Sequence, residues 1–181
     1  MIYFLRHGES EANVQGLFAG QKEDSPLSNN GVQQARAAAE QLRTIHFDRI
    51  IASKLQRTRQ TAQEVAAEIG FDSSKIEFDD RLLEYDMGCL TGTPNKKVTS
   101  KELVSTAGAE DPAQFQNRVI AFLREHKDAT QNILVVSHAG VGRMFECTKQ
   151  RLDPADFYDT APYPNAQAIP LDLDWLNEFN R

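Results

Sequence analysis

Ile2-Tyr3-Phe4-Leu5-Arg6-His7-Gly8-Glu9-Ser10 begins as an apolar run and closes on an Arg-His pair followed by glycine. The apolar part has strand character, so the chain delivers Arg6 and His7 side by side onto a turn. A neutral imidazole held at a rigid strand end carries a lone pair aimed outward and can act as a nucleophile. Arg6 adds a planar cationic fork that suits phosphate oxygens. The stretch thus reads as the attacking end of a phosphoryl-transfer site. Alone, it reads equally well as a buried strand whose histidine caps a turn, and the rest of the chain must decide.

Working outward, strand-like runs at 2–5, 49–52, 76–78 and 133–136 alternate with segments of helical period, which is the pattern of an α/β sheet. A first helix is predicted from Ser28, whose hydroxyl can cap it, with Ala35, Ala38, Ala39, Leu42 and Ile45 on one stripe. A second begins after Leu55 and stops at Gly70. A third starts near Pro112 and carries Phe115, Val119, Phe122 and Leu123 at helical spacing. A fourth follows Gly140 and ends before Pro154, and residues 168–173 form a last strand at the sheet edge. The continuously apolar run 133–136 demands cover on both faces and belongs at the centre. The fold class predicted is a three-layer α/β sandwich with a mostly parallel central sheet and helices on both faces. Ligands of such sheets bind outside the carboxyl ends of the strands, where Arg6-His7, Ser53 and Ser137-His138 all fall. Arg57 sits on the turn entering the second helix, beside free amides that favour phosphate, whereas Arg59 points to solvent or packing. The least regular stretch, 91–111, reads as a loop or small lid over the same end.

Composition narrows the function classes. With 181 residues the chain is expected to form one domain with one core and no need of disulfides. Twenty Lys and Arg against 26 Asp and Glu leave a net charge of −6, which opposes nonspecific attraction to nucleic acid or anionic lipid. A bound anion must therefore be held by a local cluster of cations. No apolar run approaches the roughly 20 residues of a membrane span, and no secretory signal pattern opens the chain, so a cytoplasmic location is expected. Cys89 and Cys147 form no CxxC pair and read as structural thiols. His7, His46, His126 and His138 show no HxxxH or HExxH spacing, so no metal is expected.

Taken together, Arg6-His7-Gly8-Glu9-Ser10 with Asn13, the approach Asp24-Ser25-Pro26-Leu27-Ser28-Asn29-Asn30-Gly31, Ser53-x-Leu55-x-Arg57, Leu83-Glu84 before Gly88, and Ser137-His138 resemble the histidine phosphatase superfamily, the phosphoglycerate mutase-like fold. These matches follow the family's order and span nearly the whole chain. The resemblance implies that His7 attacks phosphorus, forms a phosphohistidine and is freed by water. It implies that Arg6, Arg57, His138 and the amide of Asn13 surround the phosphoryl oxygens, with no cofactor. His138 is read as a protonated donor, and a backbone carbonyl is expected to fix the tautomer of His7. Glu84 matches the family's proton donor, protonating the leaving alkoxide and later accepting a proton from water. Glu9 is read as a cap or an ion-pair partner of an arginine near the turn.

The family divides into phosphatases and mutases, and the residues here lean to the former. In glycolytic mutases the matching Glu is followed by an Arg and shortly by a Tyr that hold phosphoglycerate, whereas this chain has Glu84-Tyr85-Asp86-Met87-Gly88. Mutases also carry a longer insertion with paired arginines, where this chain offers Lys96-Lys97. Further departures are Gly88-Cys89-Leu90-Thr91-Gly92, without the aromatic and acidic residues common there, and Ala139 where Gly is frequent. The expected partner is a small phosphorylated metabolite. The alternatives are a mutase-type phosphotransferase, a phosphohistidine-protein phosphatase, or an inactive module that binds phosphorylated ligands.

Overall fold

The structure is a computed structural model and describes residues 1–95, 98–177 and 179. Five strands form one sheet in the order β3-β2-β4-β1-β5: β1 (Ile2–Arg6), β2 (Arg49–Ala52), β3 (Glu77–Phe78), β4 (Ile133–Ser137) and β5 (Ala168–Leu171). All neighbours run parallel except β5, which pairs antiparallel with β1 at the edge. The apolar run 133–136 is central as predicted. Its alternate side chains explain why: Ile133 and Val135 enter one core cluster, Leu134 and Val136 the other. All five residues of β4 are buried.

The first of those faces is covered by α5 (Pro112–His126) and α6 (Ala139–Lys149), whose Phe115, Val119, Phe122, Met144 and Phe145 pack on Phe4 and Val135. The other is covered by α2 (Asn29–Leu42) and α3 (Gln56–Ile69), through Ala38, Ala39, Leu42, Ala62, Val65 and Ala66 against Leu5 and Ile50. Alanines dominate that face because α2 and α3 pack on each other as well as on the sheet. The helix signals act as read. Ser28 accepts from the Gly31 amide at the start of α2, Pro112 stands in the first turn of α5, and Gly70 ends α3 with φ +73°; Asp111, which the pattern did not single out, caps α5. Ile45 lies beyond the end of α2 and packs only partly on the cluster. The fourth helix begins at Ala139, before Gly140, because His138 in extended conformation serves as its N-cap residue.

Two short helices were not legible in the pattern. Ser10 and Asn13 form a reciprocal capping box that starts α1 (Glu11–Val14), and Thr99 and Glu102 do the same for α4 (Ser100–Val104). The stretch 91–111 is therefore partly ordered structure rather than a plain loop. It pairs with the rest of the chain at Leu17–Pro94 and Met87–Ala109, and Leu103 of α4 is fully buried. Lys96 and Lys97 lie outside the described residues.

Candidate functional site

Three strand ends meet at one edge of the sheet. His7 donates its backbone amide to the Ser137 carbonyl at 2.9 Å, and Ser53 donates to Val136 at 3.0 Å, so the residues following β1 and β2 flank the end of β4. Close packing of backbone fixes the turn after His7. A Cβ on Gly8 would lie 2.4 Å from the Gly31 carbonyl oxygen, and one on Gly31 would lie 2.0 Å from that of Glu9. Glycine at both places lets α2 dock directly against the turn. Glu9 completes the joint by accepting from the Ser28 hydroxyl at 2.7 Å and the Asn30 amide at 3.2 Å.

A cavity of about 160 Å³ opens over this edge, lined among others by Arg6, His7, Asn13, Arg57, Glu84, Gly140 and Arg143. His7 is 4% exposed, and its Nδ1 lies 2.6 Å from the Gly8 carbonyl. A carbonyl only accepts, so Nδ1 carries the proton and the Nε2 lone pair is left free. Burial, then the nearby Arg57 and Arg6, hold its pKa well below the ordinary histidine value. The ring is thus held neutral.

His138 is fully buried behind His7, their ring centroids 5.3 Å apart. Its Nε2 lies 2.9 Å from the Ser53 hydroxyl, and its Nδ1 has no hydrogen-bond partner among the described residues. Burial, then Arg57, His7, Arg118 and Arg6, push its pKa well below the ordinary value. The expectation of a protonated His138 is therefore corrected. A ring flanked by guanidinium groups and cut off from water stays neutral. A neutral ring can still donate: where the Ser53 hydroxyl donates to Nε2, the single proton sits on the unpaired Nδ1.

Arg57 is 1% exposed and is aimed by the carbonyls of Gly20 (2.8 Å) and Glu23 (3.1 Å), which accept from its guanidinium. At the start of α3 the Asp24 carboxylate accepts from the Gln56 amide at 2.6 Å, so that one of the amides expected to be free is taken. Arg59 is exposed and lies over the Phe78 ring. Arg6 donates to the Tyr163 carbonyl at 3.0 Å and keeps its Nε unpaired. Burial lowers the pKa of Arg6, Arg57 and Arg143 alike, and the nearby Glu84 carboxylate opposes it in each case. Asn13 uses its side-chain oxygen on the Ser10 amide, which leaves its NH2 group for the cavity.

Glu84 is 7% exposed, and its carboxylate accepts from the backbone amides of Tyr85 at 2.8 Å and Gly140 at 3.1 Å. A Cβ on Gly140 would come within 2.1 Å of Glu84 Oε1, so glycine at the start of α6 makes room for this carboxylate. Arg143 was missed in the sequence. It lies one helical turn after Ala139, which also lines the cavity, and that i, i+4 relation was the available signal. Its guanidinium lies over the Tyr158 ring and donates to the carbonyls of Tyr158 and Thr160. Ser53 falls at the ligand-binding end of the sheet as predicted, and its contact with His138 joins strand ends 85 residues apart.

Outside the cavity the remaining histidines stay apart. His46 is exposed near Asp48, and His126 is buried edge-on against Phe122 at the end of α5. Cys89 is exposed and Cys147 buried, with the thiol of Cys147 pushed up to about 11 by burial. Among the described residues no group of three His, Cys, Asp or Glu side chains is placed to hold a metal ion, and no helix is long and apolar enough to cross a membrane.

The model of the histidine phosphatase superfamily, branch 1, matches residues 2–174 of this chain. The chain is 36% identical over 151 residues to the probable phosphoglycerate mutase GpmB of Salmonella choleraesuis strain SC-B67, covering 76% of this chain and 68% of that protein. It is 45% identical over 101 residues to the protein of the same name from Enterobacter sp. strain 638, covering 56% of this chain and 45% of the relative's length. Among solved structures it is similar to Bacillus stearothermophilus YhfR, with a TM-score of 0.80, 21% identity and coverage of 94% and 91% of the two chains. It is also similar to mycobacterial glucosyl-3-phosphoglycerate phosphatase with VO3, with a TM-score of 0.76, 23% identity and coverage of 92% and 90%. The sheet and its helix layers are thus those of the phosphoglycerate mutase-like fold.

Proposed function

This chain belongs to the histidine phosphatase superfamily, branch 1, and we propose that within it the protein is a metal-independent phosphatase hydrolysing small phosphomonoesters through a phosphohistidine on His7. The observation that carries the reading is the neutral His7, whose Nδ1 is tied to the Gly8 carbonyl in a cavity walled by Arg6, Arg57 and Arg143. In the first step His7 Nε2 attacks phosphorus, and the bond to the leaving oxygen breaks with its electron pair. Arg6, Arg57, the Nδ1–H of His138 and the Asn13 amide balance charge on the phosphoryl oxygens, while Glu84 gives its proton to the departing alkoxide. In the second, water attacks phosphorus, Glu84 takes its proton, and the P–N electrons return to His7. No divalent cation is required, because guanidinium groups and N–H donors supply the positive field.

Hydrolysis is favoured over transfer to a second acceptor by the residues after Glu84. Tyr85 is fully buried among Phe115 and Phe157 and donates its hydroxyl to the Glu110 carbonyl, and Asp86 is engaged with the Gly88 amide and Lys22. Neither side chain lines the cavity, so the phosphoglycerate contacts of glycolytic mutases have no counterpart there. The mutase reading draws its support from the GpmB relatives.

The test is phosphoenzyme trapping and product analysis in the presence of chelator. An acid-labile, base-stable adduct and steady phosphate release from a panel of sugar phosphates, phosphoglycerates and p-nitrophenyl phosphate are expected. Isomerised phosphoglycerate in place of inorganic phosphate would establish the mutase reading, and activity lost to chelator and restored by a divalent ion would remove the metal-free mechanism. Glu84→Gln should slow the burst with an alkyl phosphate by about 10²- to 10⁴-fold. With p-nitrophenyl phosphate, whose leaving group needs no proton, the burst should suffer much less.

A further inference from the structure

Glu84 lies between two 3-10 turns, Asp80–Leu82 and Gly88–Leu90, in a stretch with no helix or strand of its own. A proton donor on such a stretch must still be held to a fraction of an ångström. Arg118, on α5, supplies that hold from outside the cavity. Its Nη1 donates to the carbonyls of Arg81 and Leu83, each at 2.7 Å, and its Nη2 donates to the Glu84 carbonyl at 3.0 Å. Its Nε and Nη2 also donate to the two carboxylate oxygens of Glu110 at 2.7 and 2.9 Å. A guanidinium has five N–H bonds, and here each has an acceptor. The group lies 4.6 Å from the centroid of the Phe115 ring, and the Arg118 and Glu110 side chains are only 19% and 15% exposed. Glu110 extends the brace by accepting from the Asp86 amide at 3.3 Å, and Gln21 adds a second donor to the Glu84 carbonyl at 2.8 Å.

We propose that Arg118, braced by Glu110, is a positioning residue that fixes the backbone of residues 81–84 so that the Glu84 carboxylate meets the leaving oxygen. The proposal rests on the reading of Glu84 as proton donor. It requires the planar fork itself. Lysine carries three donors on one atom and cannot span carbonyls at 81, 83 and 84 together with both oxygens of Glu110.

Burst rates for an alkyl phosphate and for p-nitrophenyl phosphate, measured on Glu84→Gln, Arg118→Lys, Glu110→Gln and the Glu84→Gln/Arg118→Lys double variant, test it. Arg118→Lys should slow the alkyl burst by about 10- to 100-fold, the order expected for a misplaced catalytic group, and leave the aryl burst nearly unchanged. Glu110→Gln should act in the same direction and more weakly, and it carries the test if Arg118→Lys does not fold. On the Glu84→Gln background Arg118→Lys should add nothing to the alkyl loss, because the group it positions is already gone. If Glu84→Gln slowed both substrates equally, the proton-donor reading would fall and the proposal with it. If Glu84→Gln is selective but Arg118→Lys slows both substrates equally, or the two losses multiply, Arg118 serves the fold alone.

Discussion

Arg6-His7-Gly8 after β1 and Ser137-His138-Ala139 after β4 each present an imidazole one residue beyond a parallel strand, and the two rings lie 5.3 Å apart. Their surroundings assign them different chemistry. His7 is tied by Nδ1 to the carbonyl of its own turn and lines the cavity; His138 is tied by Nε2 to the Ser53 hydroxyl just beyond β2 and is fully enclosed. The first arrangement leaves a lone pair to offer; in the second, a Ser53 hydroxyl that donates to Nε2 puts the ring's proton on Nδ1. A motif therefore places a ring, and the neighbour on one nitrogen sets where its proton sits.

Removing one ring at a time is the strongest way to break that comparison. His7→Ala should lower turnover by about 10⁴-fold or more and abolish the phosphoenzyme, because the group proposed to attack phosphorus is gone. An adduct of the same stability in this variant, read by acid and base lability, would overturn the assignment. His138→Ala should instead slow adduct formation by about 10²- to 10³-fold, the scale of losing one preorganised donor, with the adduct still detectable by rapid quench. Equal outcomes for the two variants would mean that the rings act as one unit.

Ser53→Ala sharpens the comparison further. It should leave the His138 nitrogen unsatisfied in a sealed site and cost about 1–3 kcal/mol, measurable by denaturant unfolding. Adduct formation should slow as well, since the proton is no longer directed to Nδ1. Unchanged stability would show that the hydroxyl contributes nothing to the neutral ring.

A further effect is in the pH dependence of stability. Both rings titrate below the ordinary histidine value in the fold, whereas the unfolded chain protonates near pH 6.5, so the unfolded state binds more protons at mildly acidic pH. Stability is then full above about pH 6.5 and falls as pH drops from there toward the folded values, by at most about 1.4 kcal/mol per pH unit for each ring. Denaturant midpoints at pH 7.5 and 5.5 should show this loss, and His138→Ala should reduce it. The burst rate, by contrast, should not decline through pH 6.5, because His7 stays neutral there.

Much of this molecule was legible because the signals are local. Alternation and apolar continuity depend on which face a residue presents, so the central place of residues 133–136 and the bounds of α3 followed from the pattern alone. Capping is local too, which is why Ser28, Pro112 and Gly70 mark their helix ends as read. The short helices α1 and α4 escaped because four or five residues show no period; only their capping boxes announced them. The motif residues His7, Arg6, Asn13, Arg57, Glu84 and His138 were named from the chain, and folding gathers them because three parallel strands end at one edge.

What the chain alone could not decide are the properties that depend on partners distant in sequence. Charge on His138 was misread because its pKa answers to burial and to arginines brought in from α3 and β1. The start of α3 lost one free amide to Asp24, and Glu84 gained its brace from Arg118, 34 residues on. Sequence dictated the residue types at the strand ends, since strand, turn and cap propensities act over a few neighbours. Protonation, desolvation and the aim of each side chain were left to the tertiary structure, because electrostatic energy depends on distances in space that only the closed fold sets.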